Sequence, residues 1–136
     1  MPRHRNPTSE SSAAHISTQA VIAHPGESAM VVRSRIRELQ RTDWDLVCVV
    51  EREGRLLGTL TAAQLLALPD DAELGAASEQ CHSPRVLPGT DQELMASMAL
   101  RHGVAAVAVV DQSDRLVGVV GPARLMAILR REHVED

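Results

Sequence analysis

The stretch Val49-Val50-Glu51-Arg52-Glu53-Gly54-Arg55-Leu56-Leu57-Gly58 returns as Val109-Val110-Asp111-Gln112-Ser113-Asp114-Arg115-Leu116-Val117-Gly118, 60 residues further on. Five of the ten positions are identical, and Glu51/Asp111 and Leu57/Val117 are like for like. An internal repeat sets the architecture before any single residue does. One small α/β unit has been duplicated, so function is to be sought where the two copies meet.

Working outward, Leu46 to Val50 is a continuous apolar run, the pattern of a strand buried on both faces. Glu53-Gly54 predicts a tight hairpin turn, with Leu56 to Leu60 as the return strand. Thr61 can cap a helix over 62–68 that ends before Pro69-Asp70-Asp71. Upstream, a short strand over 20–23 stops at Pro25-Gly26, and a helix over 28–41 follows. Val32, Ile36 and Leu39 share one face of that helix, and Ser28 suits its N-cap.

The second copy repeats the plan. Val86-Leu87 is its short strand, and Thr90-Asp91-Gln92-Glu93 reads as a capping box with Thr90 as the cap. Gly103 ends that helix, Val104 to Val110 is the buried strand, and Leu116 to Val120 returns. Pro122 opens the last helix. Each copy is therefore β-α-β-β-α, an α+β arrangement. A small sheet with helices on one face leaves its other face bare. Two such copies packed sheet to sheet cover each other, so a pseudo-twofold pair is expected. Residues 1–15 read as a disordered polar tail, 16–78 as the first repeat with its linker, and 79–136 as the second repeat and the start of a connecting helix.

Composition narrows the function classes. The chain has 136 residues, enough for one domain with a sizeable core. With no Phe or Tyr and only Trp44, that core must be aliphatic. The formal charge is −4, which argues against a nucleic-acid partner, as does the lack of aromatic platforms. Cys48 and Cys81 make no metal motif, and a reducing cytosol is expected. His24, His82, His102 and His133 have no ligand spacing. No nucleophile–base–acid set can be assembled, so no enzymatic activity is expected. No signal peptide or membrane-spanning run is visible.

The duplicated "VV-acid-x-x-x-R-L-x-G" phrase, with a helix after each copy, resembles the tandem CBS domain pair, or Bateman module, over roughly Ala20 to Arg131. More narrowly, Thr90 to Ala96, Val109-Val110-Asp111 and the terminal Glu132-His133-Val134-Glu135-Asp136 resemble the second CBS domain of MgtE-type magnesium transporters. That resemblance implies a cytosolic regulatory pair that senses Mg²⁺ and gates transport through rearrangement of a homodimer. It also implies a polypeptide that continues into a membrane transport domain, with this part at the inner face of the plasma membrane. Asp91, Glu132, Glu135 and Asp136 match acidic family positions, and Glu93 lies beside Asp91, so these five are the candidate Mg²⁺ ligands. The chain departs from the family at Ala123-Arg124 and Ala127, where acidic residues are usual, and the residues before the pair are a short polar stretch where the family usually has an acidic helical domain.

The other implied ligand is an adenine nucleotide, ATP or AMP, in the cleft between the copies. The family signature runs from a Gly to a hydroxyl residue to an Asp. The first copy keeps Gly58 and Thr61 but has Gln64 for the acid. The second reads Gly118, Gly121 and Arg124, losing both, although Arg124 is available to a phosphate. A plainer reading makes Thr61 an N-cap only, and the acidic C-terminus a solvated helix end. A stand-alone pair that binds a nucleotide and regulates a partner protein is the alternative function.

Overall fold

The computed structural model describes residues 20–81 and 83–135, with side chains as far as Arg130. The expected tail over 1–15 and Asp136 lie outside the described residues. In chain order the elements are β1 (Ala20–Ala23), α1 (Ala29–Glu38), β2 (Leu46–Val50), β3 (Leu56–Leu60), α2 (Ala62–Ala67), α3 (Leu74–Glu79), β4 (Arg85–Val86), α4 (Gln92–His102), β5 (Val107–Val110), β6 (Leu116–Val120) and α5 (Pro122–Glu135). They form two three-stranded sheets, β1-β2-β3 and β4-β5-β6, each with a parallel then an antiparallel pairing.

The repeat is kept down to register. Val47 faces Leu60 and Cys48 faces Thr59 in the first sheet; Val107 faces Val120 and Ala108 faces Val119 in the second. The same irregularity falls between Val49 and Val50 and between Val109 and Val110. All five residues of β2 are buried, and alternation along the strand divides them between two cores. Leu46, Cys48 and Val50 join Ala20 and Leu56 against Ala106, Ala108, Val110 and Val119 of the other copy. Val47 and Val49 instead pack under the helices with Val32, Leu60, Leu65 and Leu74. Val86, Met95, Ala99, Val107, Leu125 and Ile128 form the matching outer core of the second copy. The fold is thus α+β, two copies joined sheet to sheet with helices outside. Burying each aliphatic side chain contributes about 1.5–3 kcal/mol, and the molecule uses no aromatic residue but a half-buried Trp44.

Two local expectations are corrected. The cap of α4 is Asp91, one residue later than expected: its Oδ1 accepts from the Glu93 and Leu94 amides, while the Thr90 hydroxyl donates to the Leu87 carbonyl at 2.7 Å. A carboxylate is the stronger acceptor for two amides at a positive helix end. The linker also holds a short helix, α3, that was not expected. It packs on β3 through Gly58, and its Leu74 and Gly75 amides donate to the Glu27 and Pro25 carbonyls at 3.0 Å each.

Candidate functional site

The copies meet along a seam at their hairpins. Arg55 and Arg115 form an antiparallel bridge. The Leu56 amide donates to the Asp114 carbonyl at 2.8 Å, and the Leu116 amide donates to the Gly54 carbonyl at 3.0 Å. Each bond is the other's counterpart under the 60-residue offset, so the repeated phrase is also the element that joins the copies. Side chains break the symmetry. Arg85, at the start of β4, sends Nη1 to the Leu56 carbonyl (2.8 Å) and to both Asp114 carboxylate oxygens (3.1 Å each), and Nη2 to the Leu57 carbonyl (3.2 Å). Ser83 Oγ lies 3.5 Å from the Thr59 carbonyl, so the chain entering the second copy covers the outer edge of β3.

At the first copy's helix start, Thr61 and Gln64 hold each other. Thr61 Oγ1 accepts from the Gln64 amide at 3.1 Å, and Gln64 Oε1 accepts from the Thr61 amide at 2.8 Å. This is a complete capping box. The Thr61 hydroxyl accepts the bond from the Gln64 amide and still has its own proton to donate. Gln64, with its carbonyl oxygen engaged, presents chiefly NH₂ donors, whereas an Asp would present a second acceptor oxygen. In the second copy Arg124 is exposed on α5, and no hydrogen bond or ion pair among the described residues joins it to Thr61 or Gln64.

Of the five acidic candidates, Asp91 is exposed and committed to its cap, and Glu93 is exposed in the first turn of α4. Glu132 and Glu135 fall within α5, with side chains beyond those described, and Asp136 lies outside the described residues. No group of three or more His, Cys, Asp or Glu that could hold a metal occurs among the described residues. His24 and His102 are exposed; their Nδ1 atoms sit 3.0 Å from the Val50 carbonyl and 2.9 Å from the Met98 carbonyl.

Sequence reading missed three features of the seam. Arg85 and Asp114 are one pair; the signal was an Asp where the first copy has Gly54. Thr59 is the third. It faces Cys48 across the ladder, is buried at 3% exposure, and its Oγ1 has no hydrogen-bond partner among the described residues. The equivalent Val119 is simply apolar core. Burial pushes the Cys48 thiol up to about 12, against a smaller lowering by the Arg85 charge, so this sulfur is a core atom and not a nucleophile.

No protein-family model matches the chain. It is 29% identical over 115 residues to the magnesium transporter MgtE of Thermus thermophilus, covering 79% of this chain and 25% of the transporter. The chain thus spans about a quarter of the curated relative it matches. Among solved structures it is similar to the cytosolic domain of the Mg²⁺ channel MgtE in complex with ATP, with TM-score 0.71 and 24% identity over 82% of this chain and 45% of that one. It is also similar to a CBS domain pair/ACT domain protein of Thermotoga maritima, with TM-score 0.65 and 19% identity over 89% of this chain and 97% of that one. The fold is that of a tandem CBS pair, resembling the region found in MgtE. Among the described residues no helix is long and apolar enough to cross a membrane.

Proposed function

We propose that this CBS pair is a regulatory module of an MgtE-like divalent-cation transporter, responding to Mg²⁺ on the cytosolic side and having no catalytic role. The observation that carries the reading is the 115-residue match to the Thermus transporter, which spans most of this chain. The ligand oxygens would come from the acidic residues around the start of α4 and the end of α5, since hard cations take carboxylate and carbonyl oxygens. Binding would act by population shift: a cation shared between acidic faces favours the closed arrangement, and its loss lets like charges separate.

The module would work as a homodimer. Leu66 and Met126, equivalent under the repeat, are 71% and 61% exposed on the outer helices, and Leu94 and Leu100 are exposed on α4. Exposed apolar side chains recurring at the same position of both copies suit a protein contact. A membrane transport domain in the same polypeptide would receive the signal beyond α5.

A second reading is supported by the ATP complex of the related cytosolic domain: an adenine nucleotide held at the first copy's helix start. The capping box weakens it for this chain, because Gln64 offers the ribose donors in place of a second acceptor. Titration calorimetry and sedimentation velocity, with MgCl₂ and with ATP, test both. The cation reading expects Mg²⁺ heat and a more compact dimer at concentrations on the order of 10⁻³ M. Heat from ATP alone, abolished in Thr61→Val, would transfer the function to the nucleotide; no response to Mg²⁺ would end the cation reading.

A further inference from the structure

Two positions of the seam differ between the copies in a coordinated way. Ile22 pairs with Cys48 and Arg85 pairs with Ala108, so Ile22 and Arg85 are equivalent. Gly54 and Asp114 are equivalent in the repeat, occupy the same turn and both have positive φ, +92° and +65°. The first copy therefore carries Ile and Gly, and the second Arg and Asp. A left-handed backbone suits Gly best and Asn or Asp next, so Asp114 is tolerated there but is not the residue the turn itself favours most. What it gains is Arg85, whose guanidinium then also holds the Leu56 and Leu57 carbonyls of the other copy.

We infer that this coupled difference makes the seam a one-sided hinge. The main-chain exchange is symmetric, one bond on each side, but among the described residues only the Leu56–Asp114 side is clamped by charge-assisted bonds. The Leu116–Gly54 side has Ile22 where the clamp would be, and Ile22 can only pack. Any change in the angle between the copies therefore pivots at Arg85 and opens first at Gly54. Bonds to a charged donor are roughly twice as strong as neutral ones, which sets the order of opening. The hinge concerns the joint between copies and holds whichever ligand the module binds.

Amide hydrogen exchange followed by NMR on the whole chain tests it. After correction for intrinsic rates, the Leu56 amide should exchange at least about tenfold more slowly than the Leu116 amide. Asp114→Gly suits the left-handed turn and keeps the fold, while Arg85→Ile copies the first copy's residue. Each should bring the two rates together. Equal rates in the unaltered protein, or a gap that survives either substitution, overturns the hinge. Should Arg85→Ile not fold, Asp114→Gly alone decides.

Discussion

Gly58 lies so close to Ser78 that a Cβ on it would come within 2.7 Å of the Ser78 carbonyl oxygen. The closing glycine of the repeated phrase is thus where α3 seats on β3. The obstacle is backbone, which cannot swing away as a flexible side chain would. Gly58→Ala is expected to lower stability by about 1–3 kcal/mol, as overpacking does. Urea unfolding should show an earlier midpoint with an unchanged slope. A midpoint equal to the unaltered protein's would mean that α3 is not held this way.

Thr59 gives a prediction of opposite sign. Its hydroxyl is buried in the seam beside Cys48 without a partner among the described residues, and its counterpart is Val119. An unsatisfied buried polar group costs about 1–3 kcal/mol. Thr59→Val has nearly the same shape and removes that cost, so it should stabilise the protein. A higher midpoint in thermal or urea unfolding is the expected outcome, and a lower one would place a partner on that hydroxyl.

Glu27 and Asp45 should oppose each other in acid. Burial tends to raise the Glu27 carboxyl, but the Arg35 contact, with the His24 amide and charges, holds it below the ordinary 4.5. Its ionised form is favoured in the fold, so its contribution is present above about pH 4.5 and is lost as pH falls through the lower folded value. Asp45 is raised above 3.8 by burial and then by Asp43, so it weakens the fold as pH rises through and beyond that range. Glu27→Gln should therefore cost stability at neutral pH and little in strong acid. Asp45→Asn should stabilise at neutral pH, with the gain vanishing in acid. Unfolding midpoints measured between about pH 2 and 7 read the sign of both slopes.

The two thiols should separate cleanly. Cys48 is fully buried with its thiol pushed up to about 12, while Cys81 is half-buried and its Sγ lies 3.3 Å from the Ala77 carbonyl. A thiol reagent at neutral pH should label Cys81 in the native protein, slowly because burial raises that thiol too. Cys48 should react only after denaturant is added. Mass spectrometry of peptides from the native state checks this, and early labelling of Cys48 would mean that the seam opens readily.

Much of the fold was legible because its signals are local. Alternation along Leu46 to Val50, the turn at Gly54 and the cap at Thr61 each depend on residues within a few positions. The repeat then supplied the missing long-range fact, that a second sheet exists to cover the first. The α3 helix was not legible. It has six residues and no side-chain cap, too short to persist alone, and it is held by tertiary contacts: Gly58 beneath it, the Pro25 and Glu27 carbonyls at its start and Leu74 in the core. The shift from Thr90 to Asp91 escaped for a related reason: both residues can cap, and the path of the chain chose between them.

The candidate site divides in the same manner. By itself the sequence determined that there are two copies, which faces of their strands are buried, and that the helix starts at Thr61 and Gly121 had diverged. These follow from patterns that the chain carries along its length. Only the tertiary structure decided that Thr61 and Gln64 cap each other, that Arg85 clamps Asp114 to the opposite strand, and that Thr59 is buried unpaired. Each of these depends on where a side chain lands once the sheets are stacked: Arg85 meets Leu56 from 29 positions further along the chain. A hydrogen bond needs its partner within a few tenths of an ångström, a precision that no local pattern specifies.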